Sequence, residues 1–103
     1  MPKGYWIGRV DVRDADAYKN YVAKNAAAFA RFGGRFLVRG CAFETVSGEA
    51  RARNVVIEFP SYRDALDCWN SAEYQAARAE QKGGADVDLI VVEGYDGPQP
   101  GES

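Results

Sequence analysis

Residues Tyr5 to Val12 alternate, with Trp6, Gly8, Val10 and Val12 on one side and Tyr5, Ile7, Arg9 and Asp11 on the other, the signature of a strand with two unlike faces. The period then changes. Asp14 is suited to cap a helix in which Tyr18, Tyr21, Val22, Ala26, Phe29 and Phe32 form one apolar stripe, and Gly33-Gly34 ends it after about five turns. Arg35 to Gly40 reads as a second strand, with Gly40 placed for a bulge or bend before Ala42 to Val46 continues the pairing. Ser47-Gly48-Glu49 supplies the turn of a hairpin that returns from Arg53.

The stretch from Arg53 to Tyr74 organises the rest. Val55, Val56, Ile57 and Phe59 are β-branched or aromatic, and Glu58 is the only charge between Val55 and Pro60, so a strand buried on both faces is expected. Pro60 has no N–H to donate to a ladder and ends the strand. Ser61, with Asp64 three residues on, forms a shortened capping box for a helix that turns Ala65, Leu66 and Trp69 inward. Ser71 caps a further short helix, so the helical path jogs near Asn70. Gly83-Gly84 then breaks the pattern, Val87 to Tyr95 forms the last strand, and Gly97 to Ser103 is expected to be a loose tail.

The resulting order, β-α-β-β-α-β, is the ferredoxin-like α+β arrangement: four antiparallel strands, the first and third central, with helices on one face. Strands three and four are apolar on both sides. The face away from the helices therefore needs cover, and a second copy of the same face is the economical cover, giving a homodimer through the sheet. With 103 residues, 47% of them hydrophobic, residues 1–96 are expected to be a single domain small enough to gain from such a partner.

Charge changes the picture mainly by exclusion. The net charge is -2, from 13 basic and 15 acidic residues interspersed, which gives no field to hold a nucleic acid. The opening MPKGYW lacks the apolar core of a signal peptide, and the apolar runs are strand-sized, so a cytoplasmic protein with no membrane partner is expected. There is no histidine, which removes Ser-His-Asp and Cys-His catalysis and the commonest metal and haem ligand. No GxGxxG, P-loop, CxxC or HExxH spacing is present, so neither metal nor cofactor is expected. Cys41 and Cys68 are read as reduced packing residues without an activating neighbour.

GGRFLVRG in Gly33 to Gly40, VVIEFPS in Val55 to Ser61, and the Trp69, Ser71, Glu73-Tyr74 pattern of WNSAEY resemble an uncharacterised family of small bacterial proteins, a domain of unknown function within the dimeric α+β-barrel superfamily. The resemblance spans about residues 4 to 95. It implies a homodimer whose sheets pack face to face, each subunit keeping a cleft between sheet and helices. The chain departs from that family's pattern at Cys41, where a second glycine is common, and at Gln81-Lys82, where an arginine follows the helix.

Five residues are candidates for a ligand site. Arg39 and Glu58 interrupt apolar runs in the two strands of the expected hairpin, and a charge so placed needs a partner. They form either a structural ion pair, with each other or across the dimer seam with Arg9 or Glu93, or a site in which Arg39 anchors an anion and Glu58 orients it or acts as a base. Trp69 and Tyr74, with Tyr18, Tyr21 and Phe29, are either core or the wall of an aromatic pocket. Asn25 completes a Trp, Tyr and Asn set which, in cofactor-free oxygenases of the superfamily, surrounds an acidic substrate. Three functions follow: a dimer binding a small organic molecule in its cleft, a cofactor-independent monooxygenase or isomerase of an acidic aromatic substrate, or a structural or regulatory dimer with a filled cleft. A pocket lined by Arg39, Trp69 and Tyr74 favours the first two.

Overall fold

The computed structural model describes residues 2–102; Met1 and Ser103, the outer ends of the expected domain and tail, lie outside the described residues. The chain runs β1 (Gly4–Val12), α1 (Ala15–Arg31), β2 (Arg35–Arg39), β3 (Arg53–Phe59), α2 (Tyr62–Asn70), α3 (Ala72–Glu80) and β4 (Ala85–Glu93). All neighbouring strands are antiparallel in the order β2-β3-β1-β4, so β1 and β3 are central as the sequence pattern requires.

The helix boundaries follow local chemistry. Asp14 caps α1 by accepting from the Ala17 N–H at 3.1 Å, and Gly33, at φ 76°, lets the Gly34 N–H turn back to the Phe29 carbonyl at 2.8 Å. Ser61 Oγ accepts from the Asp64 N–H at 3.0 Å and donates to the Asp64 carboxylate at 2.9 Å. Ser71 stands at the joint of α2 and α3. Its hydroxyl donates to the Cys68 carbonyl at 2.7 Å and accepts from the Tyr74 N–H at 3.1 Å, so one side chain ends one helix and starts the next. Gly4 lies directly beneath the start of α2, where a Cβ would stand 2.5 Å from the Ser61 carbonyl oxygen.

The core lies between the sheet and the helices. Trp6 is its centre, edge-on to Phe29 at 5.2 Å and Tyr74 at 4.8 Å, with its indole N–H donating to the Ala65 carbonyl at 2.8 Å. The α1 stripe differs from expectation at one position: Ala26 is exposed, and Asn25, 5% exposed, lies in the stripe instead.

The hairpin is also corrected. Ala42 to Val46 does not pair; residues 41–52 form an exposed connection without strand structure. Gly40, at φ 63°, turns the chain away from β3 after a last bond to the Asn54 carbonyl, and β3 begins only at Arg53, leaving 42–46 no edge to join. The far end is tied to β1 and β4, since Arg51 reaches the Asp11 and Asp88 carboxylates, each at 2.9 Å. The irregularity in β2 falls at Leu37, not Gly40.

The other face of the sheet is open. Ile7, Val38, Val56, Ile90 and Val92 lie across it in register, with Ile90 58% exposed. Among the described residues no helix is long and apolar enough to cross a membrane.

Candidate functional site

A cleft of about 470 Å³ opens between α1, the joined α2–α3 path and the β1–β4 half of the sheet. Its aromatic wall is Tyr18 and Tyr21 from α1, Trp69 from α2 and Tyr74 from α3. These reach one spot because the α2–α3 jog at Ser71 lets both Trp69 and Tyr74 face α1, where Tyr21 Oη and Tyr74 Oη hydrogen-bond at 2.8 Å. The wide end is polar, bounded by Arg78, whose guanidinium sits 5.0 Å over the Trp69 ring, and by Gln81 and Lys82. Beside it, sharing Tyr18, Tyr21 and Tyr74 as a common wall, lies an inner cavity of about 50 Å³ against β2 and β3, bounded by Asn25, Arg39 and Arg53. Gly8 forms part of its floor, and a Cβ there would press on Leu89 at 3.1 Å.

Polar atoms are left unmet in this region. Asn25 Oδ1, Arg53 Nε and Gln81 Oε1 are buried with no hydrogen-bond partner within the protein. The phenols are held protonated: burial raises Tyr74, with the neighbouring Tyr21 adding to the effect, and burial raises Tyr21 against hydrogen bonds from Tyr74 and Asn25. Burial likewise pushes the Cys68 thiol up to about 12. At neutral pH none of these three is a base or a thiolate nucleophile. Cys41 is exposed on the connection after β2 and takes no part in the cleft.

Four of the five residues singled out in the sequence border this space. Trp69 and Tyr74 line the cleft; Asn25, Arg39 and Tyr74 line its inner cavity. Glu58 does not join them. It pairs with Tyr5 and Arg35 on the open face, where the Tyr5 hydroxyl donates to it at 3.1 Å and Lys3 approaches to 3.8 Å. Arg39, opposite Val55, is on the helix face with its guanidinium 4.1 Å over the Phe36 ring. The expected Arg39–Glu58 pair is therefore excluded within one chain, because the sheet stands between them. Arg53, Arg78 and Gln81 went unrecognised as site residues in the sequence. Arg53 carried a readable signal: it is in step with Val55, Ile57 and Phe59, all facing the core.

Residues 3–95 match a family described as a domain of unknown function, DUF1330. The chain belongs to that family. No curated protein matches it. Among solved structures, it is similar to a protein of unknown function from Rhodopseudomonas palustris, at 20% identity over 93% of this chain and 85% of that one, with a TM-score of 0.73. It is similar also to SnoaB, a cofactor-independent oxygenase from Streptomyces nogalater, at 13% identity over 99% of this chain and 100% of that one, TM-score 0.61. A third is a dimeric protein of unknown function and ferredoxin-like fold from Bacteroides fragilis, at 14% identity over 90% of this chain and 97% of that one, TM-score 0.53. At such identities the likeness establishes the shared ferredoxin-like fold alone. Two positions where this DUF1330 chain departs from the expected family pattern fall in different places: Gln81 and Lys82 border the cleft, whereas Cys41 lies outside it.

Proposed function

We propose that this DUF1330 protein binds a small organic molecule in the cleft between sheet and helices and works as a homodimer joined through the open faces of its sheets. The observation that carries the first part is a cleft of about 470 Å³ walled by four aromatic rings and running to buried polar atoms without partners. Such a volume is foreign to a well-packed core and a buried polar atom without a partner calls for an explanation, and apolar walls with a few convergent polar groups are the usual make-up of a ligand site. Amide chemical-shift mapping with a fragment library tests it. Shifts gathered at Tyr21, Trp69 and Tyr74 are expected. Shifts scattered over the surface, or none, would return the protein to the third reading, a structural or regulatory dimer.

Support for the dimer comes from the open face, whose apolar centre at Ile7, Val56 and Ile90 is bordered at one end by the Arg9, Asp11, Arg51 and Asp88 charges. The fold is shared with a neighbour described as dimeric. Sedimentation at micromolar concentration is expected to give twice the 11.3 kDa chain mass, and Ile90→Asp to give the single chain. A monomeric parent would defeat the barrel assembly.

A second reading, cofactor-independent oxygenation of an acidic aromatic substrate, draws support from the fold shared with SnoaB and from Asn25, Trp69 and Tyr74 bordering one space. With Tyr21 and Tyr74 held protonated and no histidine in the chain, an ionisable substrate would have to supply its own anion.

A further inference from the structure

We infer that the cleft recognises an organic acid: a flat, largely apolar molecule whose carboxylate is held by Arg53, with Arg39 beside it, and whose hydroxyl or amine donates to Asn25 Oδ1. This rests on the cleft reading above and narrows it to a class of ligand.

Charge segregation is the first observation. Most of the chain's cations, such as Arg9, Arg13 and Arg51, have a carboxylate within ion-pair distance. Lys19 and Arg35 aside, the cations that have none among the described residues are Arg39, Arg53, Arg78 and Lys82, and all four border the cleft or its inner cavity. No Asp or Glu among the described residues lines either space. In a chain of net charge -2, that leaves a locally positive recess with apolar walls, where an anion is drawn in and incompletely screened.

The unmet atoms give the second observation, and they specify the ligand's own groups. Arg53 Nε is a buried donor lacking an acceptor, and Asn25 Oδ1 is a buried acceptor lacking a donor, on a side chain 5% exposed. A ligand that completes them carries both an acceptor, for which an anion is the strongest choice opposite a guanidinium, and a donor. The Arg53 side chain is fixed on two sides, since its guanidinium lies 5.8 Å over the Tyr18 ring and crosses the space that a Cβ at Gly40 would occupy. A planar guanidinium so fixed presents a fork of N–H groups that a carboxylate can meet. The four aromatic rings of the wall suit a flat body, which inorganic phosphate lacks.

Calorimetric titration with hydroxynaphthoate, naphthoate, naphthol and inorganic phosphate separates these features. The parent protein is expected to bind hydroxynaphthoate about 10- to 100-fold more tightly than naphthol, the range for one charge-assisted contact. Arg53→Gln should erase that gap with naphthol binding unchanged, and Arg53→Lys should keep part of it. Asn25→Leu should bring hydroxynaphthoate down to naphthoate. Equal binding of acid and naphthol by the parent, a gap that survives Arg53→Gln, or phosphate binding as tightly as the acid would each overturn the organic-acid assignment and leave a ligand cleft standing. Binding of none of the four would overturn the assignment together with the cleft reading.

Discussion

Trp6→Ala is expected to destabilise the protein by about 3 to 5 kcal/mol, the usual cost of truncating a fully buried large aromatic. Trp6 is 2% exposed and touches the rings of Phe29, Phe59, Trp69 and Tyr74, so its loss opens a void shared by β1, β3 and all three helices. Domains of this size have about 5 to 15 kcal/mol in total, so the variant would stand near the limit of folding. Guanidinium unfolding followed by circular dichroism measures it. Trp69 gives the contrast. It is only partly buried and has the cleft on one side, so Trp69→Ala removes fewer contacts and is expected to cost less than Trp6→Ala. Equal costs would mean that Trp69 is packed as core, as one reading of the sequence has it, and would weaken the case for a ligand site beside it.

That contrast marks what was legible along the chain and what was not. The four strands of the sheet, the unpaired 42–46 stretch apart, and the Asp14, Ser61 and Ser71 caps are visible in the sequence because each depends on residues within a few positions. The Arg39–Glu58 relation was not legible, and one residue explains why. In a regular ladder continuing from Phe36 opposite Ile57, Arg39 would fall opposite Asn54 on the open face with Glu58. The extra residue at Leu37 moves Arg39 opposite Val55 and turns it to the helix face. Neither residue's type changes, so composition and spacing carry no trace of the flip. Asn25 was legible as a residue type and not as a position. The step Tyr18, Tyr21, Asn25, Ala28, Phe32 has helical spacing as good as the step through Ala26, and hydrophobicity favours the wrong alternative. A polar side chain preferred at a core position over an available alanine is what a binding role would leave behind.

The same burial that shapes the cleft predicts a steep loss of stability in alkali. The Cys68 thiol is pushed up to about 12 in the folded chain, from 9.0 when unperturbed. Between those values the unfolded chain has released a proton that the folded chain still holds. Fewer protons are then bound by the unfolded state, and stability falls as pH rises. The contribution is fully present below pH 9.0 and is lost on the way to about 12, at a rate approaching about 1.4 kcal/mol per pH unit for a single group. Tyr74 and Tyr21, raised from 10.0 by burial, act in the same direction. Guanidinium midpoints from pH 8 to 11 are expected to fall with increasing slope, with tyrosinate absorbance from the two buried phenols appearing only as tertiary circular dichroism is lost. Tyr74→Phe should flatten the upper part of the curve. A flat profile up to pH 11 would mean that water reaches these groups in the folded chain and stabilises their ions. The three groups would still be neutral at pH 7, since their unperturbed values are 9.0 for Cys68 and 10.0 for the tyrosines. The aromatic wall of the cleft would be wet, however, and an acid held there by Arg53 would be screened and bound less tightly.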